Sequence, residues 1–276
     1  MFIQHCGEYE IPFNLEKSIR PHDDTTLFCC SGMQQFKSKF KDQKYLNTIS
    51  NIQPCLRLND IEEIGDGTHL LYFNMIGLFS FRQWTVKESI DFWMDFLINK
   101  LELKIDYVTI HPDKIDQWKN YYSEYTVEVR SNNECIWTDG EMGGYCTEFF
   151  INDVEIGNIV NCNGDCIDVG FGLERLQMMV GEKVVTDKFS ILKQTIMKII
   201  ESGYSPSNTK QGYVLRKLLT NLIKNNEKID HLFYENEVKR QIKILNRYNR
   251  LKTKHLDKPK EWWFETHGIN IDELKT

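Results

Sequence analysis

The chain has 276 residues, of which 41% are hydrophobic and 27% charged, and its formal net charge is −6. This composition is ordinary for a soluble globular protein, and no run of 18 or more apolar residues exists that could form a transmembrane helix. The N-terminus has no basic start followed by an apolar stretch, so we expect no signal peptide and a cytoplasmic protein.

The predicted elements of the first two thirds of the chain mix strands with helices. Residues 70–76 are apolar and aromatic enough for a buried strand. Residues 85–103 have apolar side chains at helical spacing, with Thr85 as the N-cap and Glu88 three residues later. Residues 103–110 alternate between apolar and polar side chains, which is typical of a strand.

After Arg175 the pattern becomes helical. Apolar residues at spacings of three and four predict helices over 187–202, 212–225 and 229–254. We therefore expect an α+β fold with two domains, a mostly antiparallel sheet domain over 1–187 and a helical domain over 188–276.

The helical part is also strongly basic. Residues 188–260 contain 17 Lys and Arg against 6 Asp and Glu, so they carry +11 while the remainder carries −17. Such asymmetry favours a polyanion or an acidic protein as a partner, although solvated helix faces would produce the same count.

The eight cysteines are more typical of reduced, partly buried thiols than of disulfides in a chain of this length. Cys162 and Cys166 have near-ligand spacing, but the sequence supplies no second pair to complete a zinc site. Whether these two residues bind a metal stays open.

A phosphate-binding site is indicated by residues 168–175, which read Asp-Val-Gly-Phe-Gly-Leu-Glu-Arg. Two glycines let the backbone pass close to a ligand, and Leu173 is predicted to start a helix. A helix N-terminus followed by an arginine suits a phosphate group through oriented N–H groups and a forked cation.

This string resembles motif 3 of class II aminoacyl-tRNA synthetases, in the form used by the alanyl enzymes. Four further segments agree in the same order: residues 21–37 resemble motif 1, 55–81 motif 2, 155–158 the strand before motif 3, and 211–219 the start of the following helical domain. The resemblance covers nearly the whole chain, while the family's editing and C-terminal domains have no counterpart in it.

The resemblance implies a class II synthetase-type sheet flanked by helices, and an enzyme that activates an amino acid with ATP and Mg²⁺. Its implied catalytic residues are Arg57 and Arg175, which would hold the phosphates. The implied ATP-binding set adds Asn59, Asp60, Phe73 and Gly172. The implied amino-acid pocket comprises Met75, Trp137, Asn158, Asp168 and Gly170, and Glu155 would bind Mg²⁺. For Phe73, Met75 and Trp137, packing in the core is the competing interpretation.

Two departures from the family leave the substrate and the acceptor open. Only Leu58 separates Arg57 from Asn59, where the family has a longer loop that contains a lysine. The tryptophan of the family's Glu-Ile-Trp-Asn strand is Gly157, which favours a larger pocket. Alanine or a small analogue is therefore the default amino acid.

Three functions compete. The short loop favours transfer of the activated amino acid to a non-tRNA acceptor, either the thiol of an acidic carrier protein or a small-molecule amine. The alternative is charging of tRNA, whose acceptor stem the basic helices would bind. A non-catalytic sensor of an amino acid or nucleotide is the third possibility, and retention of both phosphate arginines argues against it. The family also makes a homodimer possible.

Overall fold

The computed structural model describes residues 1–59, 61–255 and 257–274. It divides the chain into two compact units, Met1–Thr186 and Asp187–Thr276, which we describe separately. No helix in the described ranges combines the length and the apolarity that crossing a membrane requires.

The first unit is built on a sheet of nine strands. The strands are β1 Phe13–Leu15, β2 Asn47–Leu56, β3 Tyr72–Phe81, β4 Tyr107–Ile110, β5 Glu128–Ser131, β6 Ile136–Thr138, β7 Gly143–Ile151, β8 Val154–Cys162 and β9 Cys166–Gly172. Their order is β1-β2-β3-β9-β8-β7-β4-β5, with β6 paired to β7. Only β1–β2 and β4–β5 are parallel among these pairs. The predicted α+β fold with a mostly antiparallel sheet is confirmed.

Five helices accompany the sheet: α1 Phe2–Glu8, α2 Lys37–Lys41, α3 Val86–Met94, α4 Pro112–Trp118 and α5 Leu173–Met179. Helices α1, α3, α4 and α5 help to bury one face of the sheet in a large apolar core, in which Trp93 of α3 stacks on Phe171 of β9 with 4.2 Å between ring centroids. Phe40 of α2 packs in a separate cluster with Phe79 and Phe81 of β3. The pocket that holds most of the predicted site residues opens on the face opposite this core.

The predicted helix over 85–103 is correct at its start and differs at its end. Thr85 accepts a hydrogen bond from the backbone N–H of Glu88, and the Glu88 carboxylate accepts one from the N–H of Thr85. After Met94 the α-helix gives way to a π-helical stretch, Asp95–Lys100, in which the N–H of Leu101 bonds to the carbonyl of Phe96.

The two predicted strands also differ in length from the observed ones. The strand predicted over 70–76 continues to Phe81, because β3 is paired on both edges, with β2 and β9. The strand predicted from residue 103 begins only at Tyr107, although Leu103 and Ile105 are buried. The side chains of Leu103 and Ile105 thus pack in the core, although the backbone pairs with other strands only from Tyr107 onward.

The second unit contains the three predicted helices, as α6 Lys188–Glu201, α7 Lys210–Lys224 and α8 Leu232–Lys252, followed by α9 Lys260–His267. Helix α6 is capped by Asp187, whose carboxylate accepts from the N–H of Ser190 at 2.9 Å. One face of α8 is exposed and carries the basic stripe, which we define as Lys239, Lys243, Arg247 and Arg250.

The reciprocal cap at Thr85 generates a prediction for stability. We expect Thr85→Ala to lower the free energy of unfolding by about 1 kcal/mol, because the N–H of Glu88 loses its acceptor. Urea denaturation followed by circular dichroism measures the change. Asn133→Ala, in an exposed turn, is the control and should leave the midpoint unchanged; equal effects of the two substitutions would contradict the role of the cap.

Candidate active site

A pocket opens on the face of the sheet opposite the apolar core. Ten of the twelve site residues predicted from sequence line it: Arg57, Phe73, Met75, Trp137, Glu155, Asn158, Asp168, Gly170, Gly172 and Arg175. Asn59 lies elsewhere, in the side groove described below. Asp60 falls outside the described residues. The structure thus brings together segments that are more than 100 residues apart in sequence.

Strand pairing explains this convergence. Gly170 of β9 lies between Gly77 of β3 and Asn158 of β8, and Gly172 lies opposite Met75. Because alternate residues of a strand point to opposite faces, Asp168, Gly170 and Gly172 share the pocket face while Phe171 enters the core. The even positions of β9 are therefore the floor of the pocket.

A β-bulge aims Glu155 into the pocket. The register between β7 and β8 shifts between Phe149 and Phe150, so that Phe149 pairs with Gly157 and Phe150 with Glu155. Strict alternation would put Glu155 and Asn158 on opposite faces, because they are three residues apart. With the bulge both line the pocket, and the Asn158 side chain donates to Oε1 of Glu155 at 3.4 Å.

One end of the pocket is cationic. The Nε of Arg57 donates to the carbonyl of Cys30 at 2.9 Å, and its guanidinium lies 5.2 Å from the centroid of the Phe73 ring. Arg175 donates to the carbonyl of Glu155 at 2.6 Å. Burial and the charge of Glu148 raise the pKa of Glu155, while the two arginines oppose this rise. Two anchored guanidinium groups beside one carboxylate suit a polyphosphate with a metal ion.

The other charged feature of the pocket is Asp168, which no described residue neutralises by an ion pair. Burial, with a smaller contribution from the charge of Asp139, raises the pKa of the Asp168 carboxyl to about 7. An ammonium group entering the pocket would supply the missing positive charge and hold this carboxylate ionised. The arrangement therefore fits the α-amino group of an amino acid.

The glycines of the pocket set its size. A Cβ atom on Gly170 would lie 2.8 Å from the sulfur of Met75, so the Met75 side chain occupies the space over this glycine. A Cβ on Gly157 would lie 2.4 Å from the Phe171 ring. A side chain at position 157 would therefore collide with the Phe171 ring in this backbone, which explains the glycine, and a larger pocket stays a prediction.

Gly157 also lines the pocket, as the expectation about its size implies, and further lining residues were not predicted from sequence: Ser31, Thr68, His69, Leu70, Ile156, Val160 and Glu174. The Glu174 carboxylate accepts hydrogen bonds from both the backbone N–H and the side chain of Asn74, which fixes the start of α5 against β3. The Glu-Arg pair of the motif was the available signal for Glu174. Thr68 and His69 follow a turn closed by Asp66, and no spacing in the sequence connects that turn with the pocket.

A side groove adjoins the pocket and shares Ser31, Arg57 and Trp137 with it. Asn59 lies here, together with Lys37, whose Nζ is 3.0 Å from a carboxylate oxygen of Asp139. Asn59, which is predicted to bind ATP, therefore lies outside the main pocket, in the groove that shares Arg57 with it.

Cys162 and Cys166 face each other across the β8–β9 pair in an apolar cluster. Burial raises the pKa of Cys162 to about 12 and that of Cys166 to about 11, so both are protonated thiols at neutral pH. They belong to no group of three potential metal ligands within the described part of the chain.

Residues 2–193 match the family model described as tRNA synthetases class II (A). The chain is 27% identical to the alanine–tRNA ligase of Francisella philomiragia over an alignment that covers 77% of this chain and 34% of that protein. It is 29% identical to that of Endomicrobium trichonymphae, over 79% of this chain and 33% of that protein. The chain thus spans about a third of the length of these relatives. It is also similar to Staphylococcus aureus histidyl-tRNA synthetase, with 10% identity, a TM-score of 0.42 and coverage of 74% and 75% of the two chains.

The raised pKa of Asp168 generates the second prediction. Below the ordinary pKa of an aspartate the carboxyl is neutral in both folded and unfolded chains, and the penalty for burying its charge grows until the pH exceeds about 7. We expect Asp168→Asn to raise the free energy of unfolding at pH 8 by about 1–3 kcal/mol, and by much less at pH 4. Urea denaturation at both pH values measures this, with Asp116→Asn on the surface as control. A substitution that destabilises equally at both pH values would contradict the proposed burial cost.

Proposed function

Because the chain belongs to the family of class II (A) tRNA synthetases, we propose that it activates an amino acid with ATP and transfers it to tRNA. The observation that carries the proposal is the division of charge within one pocket, which has two arginines at one end and a half-buried carboxylate at Asp168 that no described residue pairs with. The names of the relatives support alanine as the amino acid.

In the proposed reaction, a carboxylate oxygen of the amino acid attacks the α-phosphorus of ATP, and pyrophosphate leaves. Arg57 and Arg175 hold the phosphates and offset the negative charge that builds up on them during attack. Asp168 and Asn158 hold the α-amino group, which directs the carboxylate toward Arg57. Positioning and charge stabilisation are sufficient for this step, and no general base is required.

The residues at the cationic end also fit a magnesium ion. Glu155 offers a half-buried carboxylate oxygen, a hard ligand of the kind that Mg²⁺ prefers, and its raised pKa reflects a charge that a cation would stabilise. When bound with ATP, Mg²⁺ neutralises part of the phosphate charge.

The acceptor is the finer part of the proposal. The short link between Arg57 and Asn59 favours a non-tRNA acceptor, whereas the relatives are named as tRNA ligases and support tRNA. The exposed basic stripe of α8 adds to this support, because none of its four side chains forms an ion pair with a described residue. Unpaired cations at helical spacing suit a phosphate backbone. A cytoplasmic location and a homodimeric state stay predictions.

Amino-acid activation is tested by ATP–pyrophosphate exchange over a panel of amino acids. We expect exchange with alanine or a small analogue, and a loss of about 100-fold or more in Arg57→Ala, because one of the two guanidinium groups on the phosphates is removed. Asp168→Asn should raise the KM for the amino acid much more than the KM for ATP. Arg130→Ala and Asp116→Asn, on the surface, are the matched controls.

Each alternative has its own result in this assay. If ATP binds but no amino acid supports exchange, the proposed activation is wrong, and a non-catalytic sensor of an amino acid or nucleotide takes its place. Exchange that is insensitive to Arg57→Ala would show that the phosphates bind elsewhere.

The basic stripe is tested by replacing Lys239, Lys243, Arg247 and Arg250 with Gln together. We expect the affinity for tRNA to fall about tenfold or more at moderate salt and its salt dependence to weaken, since up to four phosphate contacts are lost. Exchange should be unaffected. Replacing four exposed lysines of the first unit, Lys17, Lys44, Lys104 and Lys183, with Gln is the control for net charge. Aminoacylation of tRNA unchanged in the stripe variant would argue against this role, and transfer only to a carrier thiol or an amine would restore the non-tRNA acceptor.

A further inference from the structure

Three potential metal ligands lie side by side next to the pocket. Cys135 precedes β6, while Cys146 and Glu148 are on β7, and their two sulfur atoms and a carboxylate oxygen lie within 4.8 Å of one another. Both cysteines are buried and Glu148 is half-buried. No other group of three such ligands occurs in the described ranges. The sequence gives little sign of this cluster, because Cys135 is distant from the other two.

Strand pairing determines where these side chains stand. The N–H of Cys146 donates to the carbonyl of Cys135 at 2.9 Å. The hydroxyl of Thr109, on β4, donates to Glu148 at 2.8 Å and accepts from the Cys135 thiol at 3.0 Å. Since the backbone already converges, three ligands can be presented without reorganising the sheet, which lowers the cost of binding an ion.

The carboxylate of Glu148 has no cationic partner among the described residues. No Lys or Arg within the described part of the chain forms an ion pair with Glu148, whose carboxylate accepts hydrogen bonds from the hydroxyl of Thr109 and the thiol of Cys135 instead. Two half-buried carboxylates and two thiols thus share a region whose nearby cations, Arg57 and Arg175, lie toward Glu155. A divalent ion at the cluster would stabilise this arrangement.

We propose that Cys135, Cys146 and Glu148 form a binding site for a zinc ion. Two sulfur ligands with one carboxylate suit Zn²⁺ and disfavour Mg²⁺, which prefers oxygen ligands alone. Bonds of about 2.3 Å to sulfur require sulfur atoms about 3.8 Å apart in a tetrahedral site, so only a small contraction of the cluster is needed. The two thiols release their protons to solvent on binding.

The site borders the pocket without belonging to its phosphate end. Cys146 is paired with Val160 and Glu148 with Asn158, and both of these β8 residues line the pocket. Three protein ligands leave the fourth position of a tetrahedral ion for another atom, as in zinc sites with catalytic roles. Cys135 and Cys146 pack against Val160 and Trp137, which line the pocket, so a zinc ion would lie next to the pocket.

Metal binding is measured on the reduced full chain by titration with Zn²⁺ alone and with Co²⁺ alone as a spectroscopic probe. We expect one equivalent to bind, with a thiolate-to-cobalt charge-transfer band, and Mg²⁺ in excess should not displace it. Cys135→Ser and Cys146→Ser should each weaken binding about tenfold or more and diminish the band. Cys162→Ser and Cys166→Ser, the buried pair on the β8–β9 hairpin, are matched controls that should leave both unchanged.

Glu148→Gln keeps both thiols and tests the site should a serine variant fold poorly. We expect weaker binding with the charge-transfer band retained, and circular dichroism shows whether each variant is folded. The proposal is overturned by the absence of stoichiometric binding, by binding that the Cys135, Cys146 and Glu148 substitutions leave intact, or by a Cys135–Cys146 disulfide in protein isolated without reductant. Because the readout is metal binding, its failure is distinct from failure of amino-acid activation.

Discussion

The antiparallel pairing of β3, β9 and β8 is the constraint on which the pocket depends. One face of these strands is committed to the core, where Phe171 stacks on Trp93. The other face is free for charged groups only because the alternation of β9 directs Asp168, Gly170 and Gly172 away from that core. A shift of one residue in register would bury the carboxylate among aromatic rings and expose Phe171. The same strand register is therefore required both for packing of the core and for placement of the site residues.

Within that frame, the charges of the pocket are unequally compensated. Glu155 has Arg57 and Arg175 to stabilise its ionised form, whereas Asp168 has no such partner among the described residues and its pKa rises to about 7. A desolvated carboxylate held without a cation costs folding free energy, and a ligand with an ammonium group recovers that cost on binding. Selectivity for an amino acid over a simple carboxylic acid would follow from this difference.

Much of the fold could be predicted from the sequence, because the strongest signals are local. Apolar spacing identified α6, α7 and α8, and the Thr85–Glu88 pattern located the start of α3. The ends of elements were less accurate, because the π-helical stretch after Met94 and the late start of β4 arise from tertiary packing. Periodicity contains no information on such contacts.

The candidate site divides in the same way. The motif residues of β9 and β3 were found through family resemblance, and ten of the twelve predicted residues line one pocket. The bulge that turns Glu155 into the pocket could not be predicted from alternation, which assigns Glu155 and Asn158 to opposite faces. The collision that a side chain at position 157 would have with Phe171 likewise depends on strand register, which the sequence alone does not give.

The side groove is lined by Arg57, Leu58 and Asn59, where the family has a longer loop, and it also contains a charged pair that acts on the pocket. Lys37 is held there by Asp139, and the charge of Asp139 contributes to the raised pKa of Asp168. The ion pair of the groove thus contains the carboxylate whose charge acts on Asp168 in the pocket, so the two cavities are electrostatically connected. They are also connected by contact, because Ser31, Arg57 and Trp137 line both. Under the proposed function, a ligand in the groove and the phosphates in the pocket would therefore approach the same guanidinium group, that of Arg57.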